Sequence, residues 1–347
     1  MELSARKKLI LKTIIGDYIR TAEPVGSKSI ASRPELGFSS ATIRNEMSEL
    51  EEMGYLEKPH TSAGRVPSPA GYRLYVDELM GHPNLTDADV TRINSVMNLK
   101  VKELDRLVSE AGKLISNLTD YTTLAVTPVM QRVTIRKFQI IAVSQLDFVI
   151  VAVTDSGVVK NKMIRTNEPV TADEAELLTY VLNQTLTGIP VDAITPQRFD
   201  IVRRAAGLTA LLAPIADFLD DFIEEMGSQK LFLQGASKLL AYPEYRDVHK
   251  AQELLDYISD DSNMPALRTF TRDIDGVRIT IGPENGTGPM QNASMVYATY
   301  NIGNVGRGLI GIVGPTRMDY ARLSARLALF SKGLNRLIAD TFFDDEE

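Results

Sequence analysis

Apolar residues recur at helical spacing from the start of the chain. Leu11, Ile14, Ile15 and Tyr18 line one side of a stretch from Ser4 to Ile19, with Arg6, Lys7, Lys8 and Lys12 grouped near its start. Pro24 and Gly26 interrupt the pattern, and Ser27 is placed to cap a short second helix that ends before Pro34. After a turn at Gly37-Phe38, Ser39 or Ser40 caps a third helix. Its apolar residues Ile43, Met47 and Leu50 fall at i, i+4 and i+7 and form one buried stripe. Gly54 stands where a helix end wants a left-handed residue. Two strand-like pieces follow, Tyr55 to Lys58 and Arg65-Val66, around a polar loop from Pro59 to Gly64. Ser68-Pro69 then provides an N-cap and a first-turn proline for a fourth helix, Tyr72 to Met80. Helix, helix, helix, hairpin, helix is the order of a winged helix-turn-helix, here spanning residues 1–82.

Gly81 to Asn84 reads as a linker, and a long helix is expected from Thr86. Met97, Val101, Leu104, Val108, Ala111, Ile115 and Leu118 alternate spacings of four and three, a heptad seam. Such a seam packs either on its own domain or on a second subunit. Strand patterns take over from Thr122 to Lys162, in the runs Leu124 to Val126, Phe138 to Val143 and Phe148 to Val153, with a turn at Asp155-Ser156-Gly157. Thr171 with Glu174 three residues on forms a capping box for a helix to Leu186. Residues from Pro196 to Leu267 are mostly helical in pattern, apart from the apolar run Leu231-Phe232-Leu233. Strands return at Val277 to Ile281, Ser294 to Tyr300 and Leu309 to Val313, before a last helix from Asp319 to Asp340 and a loose acidic tail. Strands, a helical block and strands again predict an α+β domain with an insertion. The expected division is 1–82, 83–195, an inserted and mainly helical 196–270, and 271–347.

Composition narrows the class. With 347 residues the chain has room for two or three domains. No apolar run approaches the length of a membrane span, and the N-terminus lacks the pattern of a secretory signal. The absence of cysteine excludes disulfides, thiolate catalysis and cysteine-ligated zinc. A cytoplasmic location fits these features best. The net charge of −7 argues against a broad basic surface that binds any polyanion. DNA contact would then be confined to a patch, with an acidic body repelling DNA elsewhere.

The third helix is the one that enters the major groove in a helix-turn-helix, and its first turns meet the base edges. Ser39, Ser40, Thr42, Arg44, Asn45 and Ser48 lie on its exposed side. Arg pairs with guanine O6 and N7 and Asn with adenine N6 and N7, while the free N–H groups of the helix start suit phosphate. Glu46, Glu49, Glu51 and Glu52 make the second half acidic and are expected to repel phosphate, leaving only the first turns for DNA. Lys58, His60, Thr61, Ser62 and Arg65 lie in and beside the wing loop, where they would bond phosphates or reach the minor groove.

The string SSATIRNEMSELEEMGYLEKPHTSAGRVPS from Ser39 to Ser68, followed by GYRLYVDEL from Gly71 to Leu79, resembles the HrcA family of heat-inducible transcription repressors. Pro24-Val25-Gly26-Ser27 and the segment Gly314 to Tyr320, GPTRMDY, match as well. The resemblance spans nearly the whole chain. It implies a homodimeric repressor with a winged-helix domain, a GAF-like domain and a dimerising domain inserted into it. It further implies an inverted-repeat operator, the CIRCE element, ahead of chaperone operons, and control by the GroE chaperonin. The family pattern carries over to Ser39, Ser40, Thr42, Arg44 and Asn45 in the reading helix and to His60, Thr61, Ser62 and Arg65 in the wing.

Other signals point to nothing catalytic. Gly306 to Gly311 fits G-x-G-x-x-G, but a strand follows where a dinucleotide site needs a helix, so a glycine-rich hairpin is the better reading. His60, His82 and His249 are far apart and lack partners at metal-ligand spacing, and no cofactor is expected. No nucleophile–base arrangement supports an enzyme with an accessory DNA-binding domain. The main alternative is a metabolite-responsive regulator, with the GAF-like domain as the ligand sensor.

Overall fold

The computed structural model describes residues 3–34, 36–60, 63–81, 83–95, 104–127, 133–156, 158–207, 209–228, 230–260, 276–302 and 306–342. The chain is a mixed helix and sheet protein. Its N-terminal part contains α1 (Ala5–Thr21), α2 (Ser27–Ala31), α3 (Ser40–Glu52), the two-residue strands β1 (Leu56–Glu57) and β2 (Val66–Pro67), and α4 (Pro69–Leu74). A π-helical turn, Tyr75–Leu79, prolongs α4. The expected element order is present. Gly26, not Ser27, occupies the cap position of α2, and Ser27 becomes its first residue. Ile10, Leu11, Ile14, Ile15, Ile43, Met47, Leu50 and Tyr72 are buried together as the head's core.

The body is built on a five-stranded antiparallel sheet. Its strands are β3 (Thr122–Val126), β7 (Leu231–Gln234), β8 (Val277–Ile281), β9 (Ala293–Ile302) and β10 (Gly306–Pro315), in the order β7-β3-β10-β9-β8. Alternation along these strands buries both faces. Ala125, Val296, Ala298, Ile310 and Ile312 face α5 (Asp87–Asn94), α6 (Leu104–Thr119) and the last helix, α11 (Tyr320–Phe342). Leu124, Met295, Tyr297, Leu309 and Val313 pack with Ala251, Leu254 and Ile258 of α10 (Val248–Ser259). Among the described residues no helix is long and apolar enough to cross a membrane.

Met97 and Val101 of the heptad seam lie outside the described residues. Leu104, Val108, Ala111, Ile115 and Leu118 are buried in the chain's own core, so this part of the seam serves its own domain. The G-x-G-x-x-G string runs along β10. Gly308 faces Tyr300 on β9, and a Cβ on Gly308 would come within 2.1 Å of the tyrosine ring. The glycine is there to seat a buried aromatic, whose hydroxyl donates to the Val126 carbonyl at 3.0 Å. Between α5 and α11 lies a buried ion pair. Arg326 donates to Asp89 at 2.6 Å and to the Leu118 carbonyl at 2.8 Å.

The strand order shows where the chain leaves the main sheet and returns to it. Between β3 and β7 the chain forms a separate three-stranded sheet, β4 (Ile135–Ala142), β5 (Asp147–Thr154) and β6 (Val159–Arg165), in that order. The helices α7 (Ala172–Leu186), α8 (Pro196–Ala206) and α9 (Leu212–Gly227) accompany it. In strand order, the chain leaves the five-stranded sheet after β3 and rejoins it at β7, a wider span than the expected 196–270. β7 and α10, inside the expected insert, belong to the main sheet. Helical composition cannot tell which sheet a helix packs on, whereas strand pairing can. The polar alternation of β6, absent from the expected strands, marks an edge strand. The opposite edge, β4, is closed by α7: Asn183 bonds both the N–H and the carbonyl of Phe138 at 2.8 Å, and Thr179 accepts from Ile140 at 3.1 Å. Lys230 ties the insert to the body by pairing with Glu225 of α9 and Asp105 of α6.

Candidate nucleic-acid interface

The helix α3, expected to read the DNA, starts as its sequence requires. Ser39 has extended backbone angles, and its hydroxyl accepts from the Thr42 N–H at 3.1 Å. The Thr42 hydroxyl lies 2.9 Å from that of Ser39, so both side chains serve the cap. Ser40 is half-buried, with its hydroxyl 3.2 Å from that of Ser27, which stitches α3 to α2. Arg44 and Asn45 are exposed. Ser48 returns its hydroxyl to the Arg44 carbonyl at 3.1 Å. Of the helix residues singled out by sequence, Arg44 and Asn45 therefore have side chains turned wholly outward.

Three of the four carboxylates in the acidic second half of α3 are paired, where the sequence suggested a repelling face. Glu46 is buried and pairs with Arg6 and Lys7 of α1; Glu49 pairs with Lys7 at 2.7 Å; Glu51 pairs with Arg65 at 2.6 Å. Burial pushes the Glu46 carboxyl up, but hydrogen bonds from Lys7 and Arg6 outweigh it and hold the group below the usual carboxylate range. The carboxylates join α3 to α1 and to the wing. Correspondingly, Arg6 and Lys7 are spent inside the head, and Lys8 pairs with Glu78. Asp17, also buried, accepts from Arg20 and Arg33 and so fixes the segment that leads from α2 to α3. The sequence shows these charges but not their partners.

The wing is held at its base by the turn before α2. Val25 and Arg65 exchange two backbone hydrogen bonds, both 2.9 Å, which adds a third short segment to the β1–β2 pair. Gly64 permits this: a Cβ there would lie 2.4 Å from the Val25 carbonyl oxygen. Arg65 is placed differently from Lys58 and His60 of the wing. Its side chain is only 16% exposed and pairs with Glu51, which braces the wing against α3. Lys58 and His60 are exposed. Thr61 and Ser62 lie outside the described residues.

These elements enclose an open groove of about 410 Å³ lined by Gly26, Ser27, Lys28, Arg44, Met47, Lys58, Ala63, Gly64 and Arg65. Three sides meet there: the start of α2, α3 and the wing. The lining carries four cations and no carboxylate. Among the described residues Lys28, Arg44 and Lys58 have no ion-pair partner. Lys28 was not singled out by sequence. A lysine in a five-residue helix has no local signal that it faces the same groove as residues 44 and 58.

Known proteins resemble the chain over nearly its whole length. The model of the HrcA protein C-terminal domain matches residues 105–323. The heat-inducible transcription repressor HrcA of Ruminiclostridium cellulolyticum is 39% identical over 344 residues, covering 97% of this chain and 98% of that protein. That of Acetivibrio thermocellus is 39% identical over 329 residues, covering 94% of each. A crystal structure of a hypothetical protein, 24% identical, has the same fold, with a TM-score of 0.69 over 98% of this chain and 99% of its own. The chain belongs to the HrcA family of heat-inducible transcription repressors.

Proposed function

We propose that the protein represses heat-shock genes by binding double-stranded DNA through the groove-lined head, two copies reading an inverted-repeat operator of the CIRCE type. The observation that carries this reading is the groove itself, where Lys28, Arg44 and Lys58, without an ion-pair partner among the described residues, face one opening. In this reading Arg44 and Asn45 meet base edges, and Ser39, Ser40, Thr42 and Ser48 shape the helix surface against the duplex. Lys28, Lys58 and His60 take phosphates, together with Thr61 and Ser62 of the wing. The domains are then a head to residue 82, a GAF-like body of residues 83–127 and 230–347, and a dimerising insert of residues 128–229. The outer face of the insert's sheet supports the last assignment. Ile141, Val149 and Met163 form one cross-strand row, with Ile141 49% and Met163 61% exposed. An apolar row of this kind suits a second copy of itself across a two-fold axis.

The test is binding of the full chain to the inverted repeat and to a scrambled duplex, with and without GroE chaperonin. Preference for the repeat, strengthened by chaperonin, is the expected result. Equal affinity for both duplexes would overturn the reading. Strengthening by a small metabolite instead would assign the body to ligand sensing. Arg44→Ala is expected to cost about 1–3 kcal/mol and to relax preference at one base position, measured by binding to a set of single-base operator variants. Lys28→Ala and Lys58→Ala are expected to weaken binding to all duplexes alike. Each should lower the slope of log affinity against log salt by about 1. An unchanged slope would remove that lysine from the phosphate contacts.

A further inference from the structure

The covalent link between head and body is short and carries no regular structure: among the described residues of 81–86 there is neither helix nor strand. Beside the apolar packing around Tyr72, two arginines join head and body. Arg73 of α4 reaches from the head to the body, donating to the Ile279 carbonyl at 2.7 Å and, as a fork, to Glu284 at 2.8 and 2.6 Å. Arg317, in the turn before α11, reaches the other way. It donates to the Ile19 carbonyl of α1 at 3.1 Å while Glu244 accepts from its other nitrogens. Its guanidinium also lies 5.7 Å from the Tyr242 ring centre. Between the two, Tyr72 of the head meets Tyr320 of the body edge-on at 5.8 Å.

The acceptors have a common character. Ile19 lies in the last turn of α1, where carbonyls have no partner within the helix and the helix dipole favours a cation. Ile279 lies on β8, the edge strand of the body sheet, which has a neighbour on one side only. Each arginine is thus pinned to a carboxylate and to a main-chain carbonyl that secondary structure leaves open. Main-chain carbonyls are fixed in space, and the planar guanidinium engages them with defined direction. Such a pair of contacts constrains an angle as well as a distance.

We infer that Arg73 and Arg317 are positioning residues that fix the angle of the head on the body, and thereby the spacing of half-sites the dimer accepts. The inference rests on the proposed reading of an inverted repeat by two heads. It also gives a role to the Gly314–Tyr320 segment, which contributes Arg317 and Tyr320 to the joint and nothing to the DNA groove. One added base pair moves a half-site along the duplex and turns it by roughly a tenth of a helical turn. Heads held at a fixed angle reject that change, and loosely tethered heads tolerate it.

The experiment measures binding of the full chain to a single half-site and to repeats whose spacer is lengthened or shortened by one to three base pairs. It compares the wild type with Arg73→Ala, Arg317→Ala and the double variant, all checked by thermal unfolding. The wild type is expected to prefer one spacer by about 30-fold over its neighbours, and the double variant by less than about threefold, with half-site affinity within about twofold of wild type. A sharp wild-type optimum that the double variant keeps would overturn the inference alone. Loss of half-site binding in all three variants would overturn it too, because the arginines would then hold the fold and not the angle. A wild type that bound every repeat no more tightly than a half-site would overturn the two-headed reading itself.

Discussion

Gly64→Ala is expected to weaken operator binding by about 100-fold, equivalent to about 2.7 kcal/mol, although residue 64 carries no side chain to contact DNA. The added Cβ would lie 2.4 Å from the oxygen and 2.5 Å from the carbon of the Val25 carbonyl. Both are backbone atoms, so no flexible side chain can move aside. The wing strand must back away from residue 25, which breaks the two Val25–Arg65 hydrogen bonds. Overpacking of this kind costs about 1–3 kcal/mol. The displaced strand carries the wing with it, and Arg65 loses its alignment with Glu51. Lys58 and His60 then leave their positions together, so the loss should exceed that of Lys58→Ala. Fluorescence anisotropy on labelled operator, alongside thermal unfolding, tests this. Wild-type affinity in the variant would mean that the wing is not set by its contact with the turn.

Asp89→Ala is expected to destabilise the body by about 3–5 kcal/mol, the usual consequence of leaving one member of a buried ion pair alone. Arg326 has a side chain only 10% exposed and, among the described residues, would keep the Leu118 carbonyl as its partner. Asp89 also closes the capping box of α5, accepting from the Thr86 N–H at 3.3 Å. Burial pushes the Asp89 carboxyl up, but hydrogen bonds from Thr86 and Arg326 outweigh it and hold the group below the ordinary range. The sign of the pH dependence follows. A depressed folded value adds stability above the unfolded value of about 3.9, and that stability is lost as pH falls through the folded value. Denaturant unfolding of wild type and Asp89→Asn should therefore differ at pH 7 and converge below about pH 4. A gap that stayed constant down to pH 3 would show that the carboxylate charge does not contribute.

The head was legible from sequence because its elements are set by local signals. Caps, a proline at the first helical turn and a three-residue apolar stripe on α3 all act within a few positions of one another. Thr171 with Glu174 was legible for the same reason, and both halves of that capping box are made. What stayed hidden depends on distant partners. Glu46 looks like a surface acid until Arg6 and Lys7, some forty residues earlier, are seen beside it. Nor does Arg65 show in sequence that it pairs with Glu51. Lys28 joins the groove only through the fold. Which strands flank the helical stretch in the main sheet was not legible. The run Leu231 to Leu233 carries no mark of its pairing with β3, more than a hundred residues away.

That pairing has an evolutionary corollary. β3 and β7 are antiparallel neighbours, Val126 opposite Leu231, and the next pair out is closed by bonds of 2.9 Å from the Thr127 N–H to the Lys230 carbonyl and from the Lys230 N–H to the Thr127 hydroxyl. Two strands so joined are the arms of a hairpin, and the whole insert sits where its turn would be. Loop closure depends only on the logarithm of loop length, so growing a turn of about four residues to about a hundred costs roughly 3 kcal/mol even for a floppy chain. A segment that folds around its own three-stranded sheet removes most of that cost. The body sheet needs from this stretch only that its two ends stay close, which leaves the segment between them unusually free to change in length and sequence.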